Sequence, residues 1–238
     1  MKNNNKFRLD VWGAITLGTI ALYALFLLYP MAYLIRQSVL DPDTGGFTLA
    51  YFTKFFSKSY YFDTLINSFK VSITATVLSI AIGTPLAYLF TIFKIKGKSV
   101  LNILIVVASM SAPFIGAYSW ILLLGRSGVI TAFFKNLGIA IPDIYGFGGI
   151  VLVMTLQLFP LVFLYAKGAL KNIDNSLIEA AENLGCSGIV CFFKVVVPLI
   201  MPTLLAAALL VFMRSFADFG TPMLIGEGYR TFPVVLYT

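Results

Sequence analysis

Histidine is absent from this chain, and charge of either sign is scarce: 10 Asp and Glu and 17 Lys and Arg among 238 residues, 11% in all. With no His and only two cysteines, Cys186 and Cys191, the chain cannot build a four-ligand zinc site on its own, so no metal is expected. The apolar runs hold no clustered carboxylates, which leaves a membrane-embedded enzyme without an acid–base pair. A secondary transporter would need carboxylates within its spans to couple an ion, and the apolar runs contain none, Asp218 lying just past the end of the last. No G-x-x-x-x-G-K-[ST] phosphate loop occurs either, so the chain is not expected to bind ATP itself.

What is present is apolar. Hydrophobic residues make up 59% of the chain and the mean hydropathy is +0.92. Soluble domains carry about 25% charged residues, so the missing charge calls for lipid as solvent. Several runs reach the roughly 20 residues that a helix needs to cross the hydrocarbon core. The net charge of +7 is scattered between these runs rather than gathered into a nucleic-acid surface.

The first span is expected at about 11–35, behind a polar 1–10 segment with no cleavage site. A turn cluster, DPDTGG, and the aromatic groups YFTKFF and YYF follow before residue 63. Further spans are expected at about 64–93, 99–124, 148–165 and 199–216, with a short interfacial helix near 130–137. The tail from Ala217, broken by Gly and Pro, is not read as a span. The fold class is therefore all-α, a polytopic membrane helical bundle of about five spans.

Placing the N-terminus inside puts nine Lys and Arg in the inner loops against six outside, with the cluster KIKGK inside. A cytoplasmic N-terminus follows. An odd number of spans then leaves the last one unclosed, which suggests part of a longer protein.

One interruption carries the most information: EAAENLGCSGIVCFFKVVVPLIMP, from Glu179 to Pro202. Ser176 and Glu179 fit a capping box. Leu177, Ala181 and Leu184 share a helical face, with Ile178 beside it. Gly185 stands where a left-handed residue would end the helix. Ser187 would start a second short helix through Val197, and Pro198 suits the first turn of the next span. The two cysteines within the module read as small packing residues, reduced if it is cytoplasmic.

These residues resemble a cytoplasmic loop of the permease subunits of binding-protein-dependent ABC importers, which has the form EAA, three residues, Gly, nine residues, Ile, any residue, Leu, Pro. Glu179, Ala180, Ala181, Gly185, Val195, Val197 and Pro198 match at the required spacings, with Val at the Ile and Leu positions. The resemblance covers most of the chain. NSFKVSITATVLSIAIGTPLAYLF resembles the first helix of the family's core, and SAPFIGAYSWILLLGRSG and SFADFGTPMLIGEGYRTFP are similar to the ferric-iron branch and its phosphonate, thiamine and polyamine relatives.

The resemblance implies the type I importer fold over 64–238 with its closing span missing, after a first helix and extracytoplasmic segment at 11–63. A coupling (EAA) loop at 174–198 would dock on separate ATPase subunits that bind ATP. An extracytoplasmic binding protein would deliver the solute, ferric iron first and 2-aminoethylphosphonate, thiamine or polyamine next. A second permease half, separate or fused, and the bacterial cytoplasmic (inner) membrane complete the expected assembly, with no nucleic acid. Asn67, Gln157 and Arg214 are polar residues within spans; they are candidates either for the translocation path or for hydrogen bonds across helices. An ion-coupled secondary transporter stands as the alternative from a different class.

Overall fold

A computed structural model describes residues 11–41, 45–93, 96–110, 112–139, 142–186 and 188–237. The polar N-terminus at 1–10, Lys94 of the basic cluster and Ser187 lie outside the described residues. Among the described residues every regular element is helical, apart from one isolated bridge between Leu40 and Phe47.

The chain divides into two compact units, Met1–Phe62 and Asp63–Thr238. The first holds helix α1, Val11–Val39, and helix α2, Ala50–Ser57. At 29 residues with a hydropathy of 2.0, α1 is long and apolar enough to cross a membrane. A single π-turn, Ala24–Leu28, widens α1 just ahead of Pro30, and the Tyr29 amide reaches back to the Ala24 carbonyl. Proline has no N–H and its ring crowds the carbonyl one turn earlier, so an extra residue in that turn lets the helix continue.

The second unit is built on three long helices: α3 (Ser59–Ile92, from Asp63 onward), α7 (Phe147–Lys171) and α9 (Gly188–Phe216). Between α3 and α7 lie α4 (Lys98–Ser109), α5 (Pro113–Leu124) and α6 (Val129–Asn136). Helix α8 (Asn175–Asn183) precedes α9, and the short helices α10 (Gly220–Ile225) and α11 (Phe232–Tyr237) follow it.

Small residues bring α3 against α7. Ser68, Ser72, Ala75, Ser79, Gly83 and Ala87 are all buried and recur every three or four positions along one stripe of α3. At Gly83 the approach is tightest. A Cβ there would lie 2.9 Å from the Phe159 carbonyl oxygen and 2.9 Å from the Val162 Cβ. Further along, Phe90 meets Phe163 edge to face, and at the opposite end Phe69 packs on Phe212 and Phe216 of α9.

Two apolar clusters result. One joins Ala87, Phe90, Val162, Phe163, Ala166 and Leu170 to Phe192, Val196 and Ile200 of α9. The other gathers Val71, Ala75, Ala117, Ile150, Met154 and Ile225, and so includes the tail.

The structure corrects two sequence expectations. The span expected at 99–124 is two helices, because Ala112 is extended (ψ 141°) ahead of Pro113 and the chain turns there. The segment of spanning length is instead Pro113–Asn136, which takes in the expected short helix at Val129–Asn136. The second short helix of the module is not separate from the last span. Gly188–Phe216 is continuous, with a π-turn at Phe192–Val196 accommodating Pro198 as the one in α1 accommodates Pro30. The Gly- and Pro-rich tail, not read as a span, forms two short helices and is core: Thr221, Pro222, Ile225, Pro233 and Val234 are buried.

Gly83→Leu is expected to force α3 and α7 apart and lower stability by about 1–3 kcal/mol, the usual cost of overpacking. A thermal melt of the purified protein in detergent measures it, and an unchanged midpoint would contradict the close approach.

Candidate functional site

The module from Asp174 to Val197 forms one face of interest. Helix α8 begins two residues earlier than the sequence pattern suggested. Asp174 is its cap: Ser176 N–H donates to the Asp174 carboxylate (3.0 Å) and Leu177 N–H to the Asp174 carbonyl (3.1 Å). The expected Ser176–Glu179 capping box is therefore displaced, and Ser176 sits inside the helix. The Ser176 amide, with its hydroxyl, holds the Asp174 carboxyl below its ordinary value. The cap's contribution is thus complete above the ordinary carboxyl range and fades only in acid below it.

At the other end Gly185 has φ +85°, and the Cys186 N–H donates to the Ala181 carbonyl at 3.0 Å. That six-residue closure is the Schellman arrangement, and it requires a left-handed residue at position 185. Gly188 is also left-handed, at φ +51°. Two such residues turn the chain sharply from α8 into α9.

The module presents apolar side chains outward and roots itself inward. Leu177, Leu184 and Ile189 are 49, 89 and 76% exposed, and Glu179 and Ala180 are exposed beside them. Ile178 packs against the first apolar cluster. The firmer root is the π-turn, where Phe192 and Val196 are buried among Ala87, Phe90 and Phe163. Phe192 also packs on Tyr88, with ring centroids 4.7 Å apart. Of the sequence-predicted residues, Glu179, Ala180, Gly185 and Pro198 are exposed and Ala181, Val195 and Val197 half-buried. Sequence reading missed Phe192 and Val196, which share a face with spacing i, i+4 and could have been found from that.

At the far end of the long helices, side chains stand in for missing helical hydrogen bonds. Asp218 accepts from the Gly220 and Thr221 amides (2.8 and 3.3 Å) and from the Thr221 hydroxyl (2.7 Å), capping α10. Asn67 donates to the Arg230 carbonyl (3.1 Å), and the Ser68 hydroxyl accepts from Phe232 N–H (2.8 Å). Arg126 pairs with Asp143 (3.0 Å) and Glu227 (2.9 Å) and lies over the Tyr145 ring, tying the 125–147 loop to the tail.

Gln157 and Arg214 come together on one cavity of ≈ 440 Å³, also lined by Phe114, Leu158 and Asp218. Asn67 is not among its lining residues; it braces the tail. Among the described residues no group of three or more His, Cys, Asp or Glu could hold a metal ion.

Comparison with known proteins agrees with this architecture. Residues 46–237 match the family described as "Binding-protein-dependent transport system inner membrane component". A putative ferric transport system permease protein, FbpB 1 of Haemophilus influenzae, is 28% identical over 92% of this chain. The ferric transport system permease protein FbpB of Actinobacillus pleuropneumoniae is 28% identical over the whole of it. The chain spans about a third, 34%, of each of these two proteins. The spermidine/putrescine transport system permease protein PotB of Haemophilus influenzae is 28% identical over 94% of the chain and 79% of its own length. A crystal structure of a bacterial alginate ABC transporter with its pentasaccharide-bound periplasmic protein superposes with a TM-score of 0.75 at 17% identity, covering 95% of this chain and 82% of that one. At that identity the likeness concerns the fold.

At Gly185 a Cβ would meet no atom within 4 Å, so substitution there is governed by φ alone. Gly185→Ala is expected to loosen the turn by about 1 kcal/mol, and Gly185→Asn by less, since Asn tolerates the left-handed region. Amide exchange across 181–186 would report this order, and equal protection in both variants would contradict it.

Proposed function

The chain belongs to the binding-protein-dependent transport system inner membrane component family, and from that membership we propose that it is a permease half of an ATP-driven importer. The observation that carries the proposal is the module: exposed apolar side chains at Leu177, Leu184 and Ile189, rooted in the long helices through buried Phe192 and Val196. An apolar patch facing water calls for a partner. In this reading the partner is an ATPase subunit supplied separately, which binds ATP and supplies the driving chemistry.

Glu179, Ala180 and Ala181 would face the ATPase. The small alanines permit close approach, and Glu179 offers a charge-assisted contact. Gly185 would hold the turn, while Val195, Val197 and Pro198 carry movement into α9. Movement of α8 would then reach α3 and α7 through the buried π-turn. The module lies in the cytoplasm in this account, as does the N-terminus, in a bacterial inner membrane. An extracytoplasmic binding protein would deliver solute at the opposite end, and a second permease half, separate or fused, would complete the pathway.

Ferric iron is the first solute proposed, because the FbpB relatives named for ferric transport match over nearly the whole chain. 2-Aminoethylphosphonate, thiamine and polyamines follow, the last supported by the likeness to PotB.

Because Asp174 rather than Glu179 meets the Ser176 amide, Glu179→Ala is expected to leave abundance and melting unchanged while reducing ATPase co-purification and solute uptake several-fold. Membrane abundance, co-purification and uptake are compared in one strain. Full uptake with full ATPase binding would contradict the coupling role.

A further inference from the structure

The cavity shared by α5, α7 and α9 carries information about the charge of what crosses it. Arg214 lines it from the last turn of α9, where a cation suits the helix C-terminus. Yet among the described residues its guanidinium makes no hydrogen bond or ion pair. The carbonyls nearest to it in sequence are taken by the backbone: Met213 accepts from Ala217 N–H and Ser215 from Asp218 N–H. Asp218, one turn on, lines the same cavity, but its carboxylate oxygens accept from Gly220, Thr221 and the Thr221 hydroxyl.

A second polar residue lines the site. Gln157 lines this cavity and an adjoining one of ≈ 430 Å³ that Arg214 also borders, and its Nε2 is buried without a partner. Leu158 and Phe114 supply apolar wall. A planar guanidinium without a partner, and an unsatisfied amide that a rotation of the Gln157 side chain would bring to the cavity, call for oxygen acceptors. An ammonium group would meet the same donors and a positive charge, and the one carboxylate beside them, Asp218, already accepts three hydrogen bonds.

We propose that this cavity passes an anion bearing phosphonate, phosphate or carboxylate oxygens, with Arg214 and Gln157 as its specificity-determining residues, and that it discriminates against polyamines. This rests on the importer reading and narrows it: ferric iron would cross as an anionic chelate.

The test uses the permease with its ATPase and second half in phosphatidylcholine nanodiscs. Labelled 2-aminoethylphosphonate, ferric citrate and spermidine are offered in turn by equilibrium dialysis. At least one anion is expected to bind, Arg214→Gln to weaken it by about tenfold or more, and Arg214→Lys to fall between. Gln157→Leu should weaken anion binding while raising the melting midpoint, since it removes an unsatisfied donor; a purely structural Gln157 would lower it. It also serves as an independent variant should Arg214→Gln fail to fold.

Spermidine binding that survives with Arg214 intact, binding of neither anion, or anion binding indifferent to both variants would overturn the proposal. So would disappearance of the Arg214 effect when phosphatidylglycerol is added, which would assign Arg214 to lipid. Failure of the importer reading shows separately, as a complex whose ATPase subunit is absent or unresponsive to loaded binding protein.

Discussion

The bundle depends on how closely α3 can approach α7, and that distance is set where Gly83 meets the Phe159 carbonyl and Val162. In lipid, apolar side chains gain little by leaving their solvent, so helices associate through close packing instead. The stripe of Ser, Ala and Gly along α3 supplies the closeness. Only with the backbones near one another can Phe90 and Phe163 enclose a pocket that receives Phe192 and Val196 from α9. The module outside the bundle is therefore held by the packing inside it.

The same solvent governs the tail. Irregular backbone is tolerated at membrane depth only where its polar groups are satisfied within the protein. Asp218, Asn67 and Ser68 do this for the segment from Gly220 to Phe232, and Arg126 fastens the 125–147 loop to Glu227 at the edge. Gly and Pro in this stretch thus mark a backbone braced by side chains. The two π-turns follow a related logic, each placed just ahead of a proline that an ordinary turn would crowd.

Much of the fold was legible in hydropathy, because length and apolar content alone locate most helices that lipid can hold. The left-handed residue at Gly185 was legible as well, since helix-ending chemistry is local. Three features were not. The break at Ala112 depends on Pro113, within a run whose hydropathy stays high throughout. Asp174 replaced Ser176 as the cap because both residues suit that role and the pattern does not separate them. The buried tail was unreadable because its stability comes from partners more than 160 residues away, as with Asn67 and Arg230. Of the three polar residues proposed for the path, Gln157 and Arg214 share a cavity, whereas Asn67 shows that an in-span amide can equally serve as a brace.

The central claim, that the module couples an ATPase to the bundle, is tested most directly by a photo-crosslinking residue at Leu184, the most exposed apolar position of the module. A control probe is placed at Leu209, an exposed position within α9. The account predicts that the Leu184 probe captures a protein bearing a G-x-x-x-x-G-K-[ST] phosphate loop, identified by mass spectrometry, and that the Leu209 probe does not. Equal capture at both positions, or capture of no such protein at Leu184, would contradict it.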